Sequence, residues 1–144
     1  MSLAVTLLVD DEVPFVETMT KRLTKRNFTV LSAYSGKESL EKLKEHPEID
    51  AVILDVKMPG MDGIETLRKI KKAYPLVEVI MLTGHATVET AIDGMKLGAF
   101  DYLMKPCDIE ELVSKVNEAR LKKAKHEEKI REARLKEITL RRGV

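Results

Sequence analysis

The sequence predicts an α/β fold, a parallel sheet wound on both faces by helices, and three observations carry that prediction. Short runs rich in Val, Ile and Leu alternate with segments whose apolar residues recur every three or four positions. The connections are short, so successive strands run parallel and each crossover carries a helix. Four of the five strand-like runs also end in polar residues, at the edge where an open parallel sheet binds ligands.

The elements follow in order. Val5–Val9 is an apolar strand ending in the acidic pair Asp10-Asp11, with Glu12 next. Pro14 suits a first helical turn, and Phe15, Met19 and Leu23, four apart, predict an amphipathic helix to about Lys25. Phe28–Ala33 reads as a second strand. Ser35-Gly36-Lys37-Glu38 has the form of a capping box ahead of Leu40 and Leu43, opening a helix that stops before Pro47. The run from Ala51 to Leu54 suits a strand buried on both faces; it ends at Asp55 and is followed by Pro59, Gly60 and Gly63.

Beyond Gly63, the spacing of Ile64, Leu67, Ile70 and Ala73 predicts a third helix, halted at Tyr74-Pro75. Val77–Leu82 is a fourth strand, ending at Thr83-Gly84. Val88, Ala91, Ile92, Met95 and Leu97 mark a fourth helix, the weakest of the set because of its small residues and Gly94. Tyr102–Met104 is a short fifth strand running into Lys105-Pro106. Asp108-Ile109-Glu110-Glu111, an acid-led cap, then starts a helix through Leu112, Val113 and Val116 with no stop signal before Gly143.

Composition narrows the function classes. A chain of 144 residues, 44% hydrophobic and 34% charged, suits one domain with a sizeable core. Its net charge of +1 gives no overall bias toward nucleic acid or anionic membranes. No apolar run approaches the roughly 20 residues that span a bilayer, and the N-terminus has no leader pattern, so a soluble cytoplasmic protein is expected. Cys107 stands alone, which excludes an internal disulfide and a cysteine-rich metal site, and the histidines are too scattered for a metal site.

The predicted topology gathers Asp10, Asp11, Asp55, Thr83 and Lys105 on one sheet edge. Packed carboxylates repel one another unless a cation neutralises them, and a hard all-oxygen site of two or three acids suits Mg²⁺. Asp55 is then a candidate nucleophile for a phosphoryl group, with Lys105 supplying positive charge to its oxygens and the Thr83 hydroxyl a hydrogen bond.

These residues, at this spacing, resemble a response regulator receiver domain: Asp10-Asp11 after the first strand, Asp55 after the third with Met58 to Gly63 behind it, Thr83 after the fourth and Lys105-Pro106 after the fifth. The resemblance implies a flavodoxin-like five-stranded sheet of order 2-1-3-4-5, with residues 4–119 as the receiver and 120–144 as a charged helical extension. It implies phosphorylation of Asp55 by a sensor histidine kinase or phosphotransfer protein, Mg²⁺ held by Asp11, Asp55 and the Lys57 carbonyl with Asp10 assisting, and a cis peptide before Pro106. The chain would be a phosphoacceptor module that assists its own phosphotransfer and dephosphorylation, not a conventional enzyme. Tyr102 matches the aromatic switch residue that partners Thr83, and Lys57 and His85 match positions that tune attack of water on the phosphoryl group.

The last segment is read from its charges. Glu118 with Lys122, Glu127 with Arg131, Glu132 with Lys136 and Glu137 with Arg141 are favourable i,i+4 pairs worth roughly 0.2–0.5 kcal/mol each, and together they favour a continuous helix. Its apolar stripes are interrupted, so a solvated helix and a weak coiled-coil dimer both stay open, with direct nucleic-acid binding ranked last. A homodimer through the fourth helix, fifth strand and fifth helix is one expected readout of phosphorylation. The stretch past Ala119 is too short for an output domain, leaving a stand-alone regulator or a piece of a longer protein, with the output partner unknown. The competing class is a phosphorylation-independent docking protein with a degenerate receiver fold; retention of all five edge residues speaks against it. A flavodoxin-like enzyme would need a substrate pocket beyond this shallow acidic rim.

Overall fold

Strand and helix alternate without exception through residues 4–56, 62–84 and 87–141, the residues described by the structure, a computed structural model. The elements are β1 (Val5–Val9), α1 (Val13–Thr24), β2 (Thr29–Ala33), α2 (Gly36–Glu45), β3 (Ala51–Leu54), α3 (Gly63–Ala73), β4 (Glu78–Thr83), α4 (Val88–Lys96), β5 (Asp101–Met104) and α5 (Ile109–Arg141). All neighbouring strands pair in parallel in the order β2-β1-β3-β4-β5, as expected.

The pleat divides the core into two layers, because successive side chains in a strand point to opposite faces. Leu7, Val52, Leu54, Val79 and Met81 face one way and pack with Leu43, Leu67 and Ile70 from α2 and α3. Leu8, Ile53, Ile80 and Leu82 face the other and pack with Val16, Met19 and Leu23 of α1 and Leu112, Val116 and Ala119 of α5. Every residue of β3 is buried, the outcome that its unbroken apolar run implied.

Caps account for the helix starts. Ser35 accepts a hydrogen bond from Glu38 N through its hydroxyl, while the Glu38 carboxylate reaches back to Tyr34 N. Asp62 caps α3 through Glu65 N, and Asp108 accepts from Glu110 N at the start of α5. α4 opens on a reciprocal box in which Thr87 Oγ1 accepts from Thr90 N and Thr90 Oγ1 from Thr87 N.

Two helices depart from simple amphipathic burial. In α4, Val88, Ile92 and Met95 are 77%, 48% and 48% exposed, and the residue buried against the sheet is Gly94. A Cβ there would stand 2.5 Å from the Met81 sulfur, so a larger residue would force the Met81 side chain to shift, and the α4 backbone packs closely on β4 at this point. In α5, burial along the apolar stripe ends at Lys123, and Leu121, Leu135, Ile138 and Leu140 stay largely exposed.

The long helix is pinned to the sheet by ion pairs at the edge opposite the polar loops. Glu78, 2% exposed at the start of β4, meets Lys71 of α3 at 3.2 Å and Lys122 of α5 at 3.1 Å. Lys123 pairs with Asp50 at 3.3 Å, and Asp50 in turn accepts from Val5 N. Of the four helical pairs expected in this segment, Glu137 with Arg141 forms. Lys122 instead answers the buried Glu78, and Arg131 pairs with Glu128.

Candidate functional site

Main-chain ladders extend past the strand ends and fix the acidic residues. Asp10 N donates to Ala33 O at 3.1 Å and Asp55 N to Val9 O at 3.0 Å, so both residues continue the register of their strands although their side chains leave the sheet. Thr83 ends β4, and its carbonyl accepts from Lys105 N at 2.9 Å, tying the fourth and fifth loops together. The Lys105–Pro106 peptide is cis, as expected. Behind Asp55, α3 begins at Gly63, whose N–H donates to Val56 O at 2.6 Å. A Cβ on Gly63 would overlap the backbone of Asp55 and Val56, so only glycine permits this approach.

The side chains converge. Asp10, Asp11 and Asp55 each offer a carboxylate oxygen, all within 4.8 Å of one another. Asp10 and Asp55 are 1% and 3% exposed, whereas Asp11 lies at the surface. Lys105 Nζ donates to Asp10 Oδ2 at 2.6 Å, lies 4.0 Å from Asp55 Oδ2 and 3.3 Å from Glu12 Oε1. The Thr83 side chain is fully buried at the end of the adjacent strand.

The electrostatics reflect burial set against a local pair. Burial raises the Asp10 pKa and the Asp55 charge adds to it; hydrogen bonds from Lys105 and from Glu12 N oppose the rise without cancelling it. Burial alone would lower Lys105, but the hydrogen bond to Asp10 and the charges of Asp10 and Asp55 outweigh it, so the ammonium is held above its ordinary value. Asp55 Oδ1 is buried with no hydrogen-bond partner among the described residues. An uncompensated carboxylate oxygen beside two further carboxylates fits a hard, oxygen-seeking divalent cation held by Asp10, Asp11 and Asp55.

Two expected site residues, Lys57 and His85, lie outside the described residues, and so does the Lys57 carbonyl offered as a metal ligand. Tyr102 is half-buried against the core, and its hydroxyl is 2.9 Å from Thr90 Oγ1, at the first turn of α4. Thr90 had no place in the sequence reading, since a threonine at a helix start signals only a cap. The spacing places Phe15 on the apolar face of α1, yet its ring lies 4.0 Å beneath Lys105 Nζ as a cation–π partner. Its place one turn after the acidic pair is the signal that could have found it.

Comparison with known proteins identifies the family. Residues 6–117 match the response regulator receiver domain. The transcriptional regulatory protein ZraR of Escherichia coli strain K12 is 38% identical over 113 residues, 78% of this chain, and the chain spans about a quarter of the length of such curated relatives. A response regulator receiver domain protein from Clostridium thermocellum superposes with a TM-score of 0.80 at 40% identity, covering 84% of this chain and 97% of that one. A CheX–CheY–BeF3–Mg complex from Borrelia burgdorferi gives 0.74 at 34% identity, over 78% of this chain and 86% of that one. The chain belongs to the response regulator receiver family.

Proposed function

We propose that this chain is the phosphorylation-controlled receiver module of a two-component phosphorelay, with Asp55 accepting a phosphoryl group from a histidine kinase or phosphotransfer protein in the cytoplasm. The observation that carries the reading is the buried Asp55 carboxylate, with an unpartnered oxygen, beside Asp10, Asp11 and Lys105. An Asp55 oxygen attacks phosphorus, the bond from phosphorus to the donor's histidine nitrogen breaks, and that nitrogen keeps the electron pair. Lys105, moving from Asp10 toward the incoming group, supplies positive charge to the equatorial oxygens, and the Phe15 ring lies beneath its ammonium as a cation–π partner. A Mg²⁺ held by Asp10, Asp11 and Asp55, with the Lys57 carbonyl, supplies charge that offsets repulsion between carboxylates and phosphate. Lys57 and His85 tune the return reaction with water.

Readout follows from the neighbours of Thr83. As its hydroxyl turns toward the phosphate, Tyr102 moves into the vacated space and leaves Thr90, which biases the first turn of α4. Val88, Ile92 and Met95 on α4 and Met104 on β5 expose apolar surface there, which suits an output partner or a second copy. Residues 4–119 form the receiver, and the charged extension 120–144, helical through Arg141, carries the signal away.

The test is incubation with acetyl phosphate, with Mg²⁺ or with a chelator, read by intact mass. One added phosphoryl group that requires Mg²⁺ and is lost in Asp55→Asn is expected; undiminished labelling of Asp55→Asn contradicts the assignment.

A further inference from the structure

Away from the acidic edge, α2 and α3 enclose an open groove of about 740 Å³. Leu40 and Tyr74, both half-buried against the core, form its apolar floor. Lys37 and Lys44 line it from α2, and Lys69 and Lys72 from α3. We propose that this groove docks an acidic amphipathic helix of a protein partner.

The charges along the groove bear on its occupant. The four groove lysines are exposed and make no ion pair among the described residues, and only Glu41 interrupts their field along the lining. Lys37 and Lys44 stand two turns apart, about 10 Å along α2, while Lys69 and Lys72 stand one turn apart on α3. A two-turn cationic rim on α2 facing a one-turn rim on α3 matches a helix whose carboxylates flank apolar residues at i, i+3 or i+4 and i+7.

The apolar floor decides the class of occupant. A nucleic-acid backbone or a simple polyanion would leave Leu40 and Tyr74 against phosphate or water and would bring continuous charge onto Glu41. An amphipathic helix buries both apolar residues and can put a neutral residue opposite Glu41. The proposal does not depend on the chemistry of Asp55.

The experiment uses the full chain, ¹⁵N-labelled, titrated with a synthetic helical peptide of leucine and glutamate, leucines on one face. Expected are amide shifts confined to residues 37–44 and 69–74, and affinity that falls with salt and falls about tenfold in K37Q/K44Q/K69Q/K72Q. Circular dichroism checks that this variant, altered only at exposed positions, keeps the fold. Leu40→Ser should weaken binding of the same peptide without altering its salt dependence. Shifts mapping elsewhere, affinity unchanged in the fourfold variant, or equal binding of polyglutamate or a short oligonucleotide would each overturn the proposal.

Discussion

The Tyr102 hydroxyl lies 2.9 Å from Thr90 Oγ1, and that same threonine oxygen closes the capping box that starts α4. One side chain thus joins β5 to the first turn of a helix whose apolar face is exposed. Tyr102→Phe should cost about 1 kcal/mol in urea unfolding, and Thr90→Val, which also loses the cap, about 1–2 kcal/mol. If the two act as a pair, the Tyr102→Phe cost should nearly vanish in the Thr90→Val background. Additive costs would show that the contact carries no energy.

Asp11 is the exposed member of the acidic trio, and its carboxylate repels two buried neighbours. Asp11→Asn should therefore stabilise the metal-free chain by roughly 0.5–1 kcal/mol, by relief of like-charge repulsion. The same change should weaken Mg²⁺ binding about tenfold or more, since a hard cation loses a charged ligand. Thermal melts with and without Mg²⁺ check both arms. A variant equally stabilised by Mg²⁺ would remove Asp11 from the metal site.

At the opposite edge, Glu78 is buried between Lys71 and Lys122. Glu78→Gln should destabilise by about 1–3 kcal/mol, because a buried pair loses one partner while Lys122 can swing into water. Hydrogen exchange along residues 120–141 should quicken more than in α1. A uniform change in all helices would mean that the pair does not hold α5 in particular.

How much of this was legible in the sequence depends on which physics was periodic. The strands, their order of appearance and the convergence of Asp10, Asp55, Thr83 and Lys105 followed from apolar runs that end in polar residues, a local signal. Contacts across the fold left no such trace. Glu78 looks like an ordinary polar position within a strand, and its pairing with Lys122 depends on where α5 crosses the sheet. The exposure of Val88, Ile92 and Met95 contradicts their apolar spacing because Gly94 lets backbone, not side chains, make the contact with Met81. Thr90 and Phe15 gained their roles only when Tyr102 and Lys105 arrived from elements more than ten residues away.

Cys107 follows the acidic edge by two positions beyond Lys105. Burial pushes its thiol pKa up, and the charges of Glu111 and Asp108 add to the shift. A raised pKa leaves less thiolate at neutral pH, so alkylation by iodoacetamide should be slow there and should climb at a higher pH than for the unfolded chain. Equal pH profiles for folded and urea-unfolded protein would contradict this assignment of its surroundings.

The central claim is that the phosphoryl group resides on Asp55, and borohydride reduction tests it most directly, since an aspartyl phosphate is reduced to homoserine while free carboxylates are not. The chain is phosphorylated with acetyl phosphate and Mg²⁺, reduced, digested and sequenced by mass spectrometry. Homoserine at position 55, absent from the Asp55→Asn variant and from a chelator-treated sample, is the predicted result. Homoserine at position 10 or 11 instead, or a phosphorylated chain that yields none, would contradict the account.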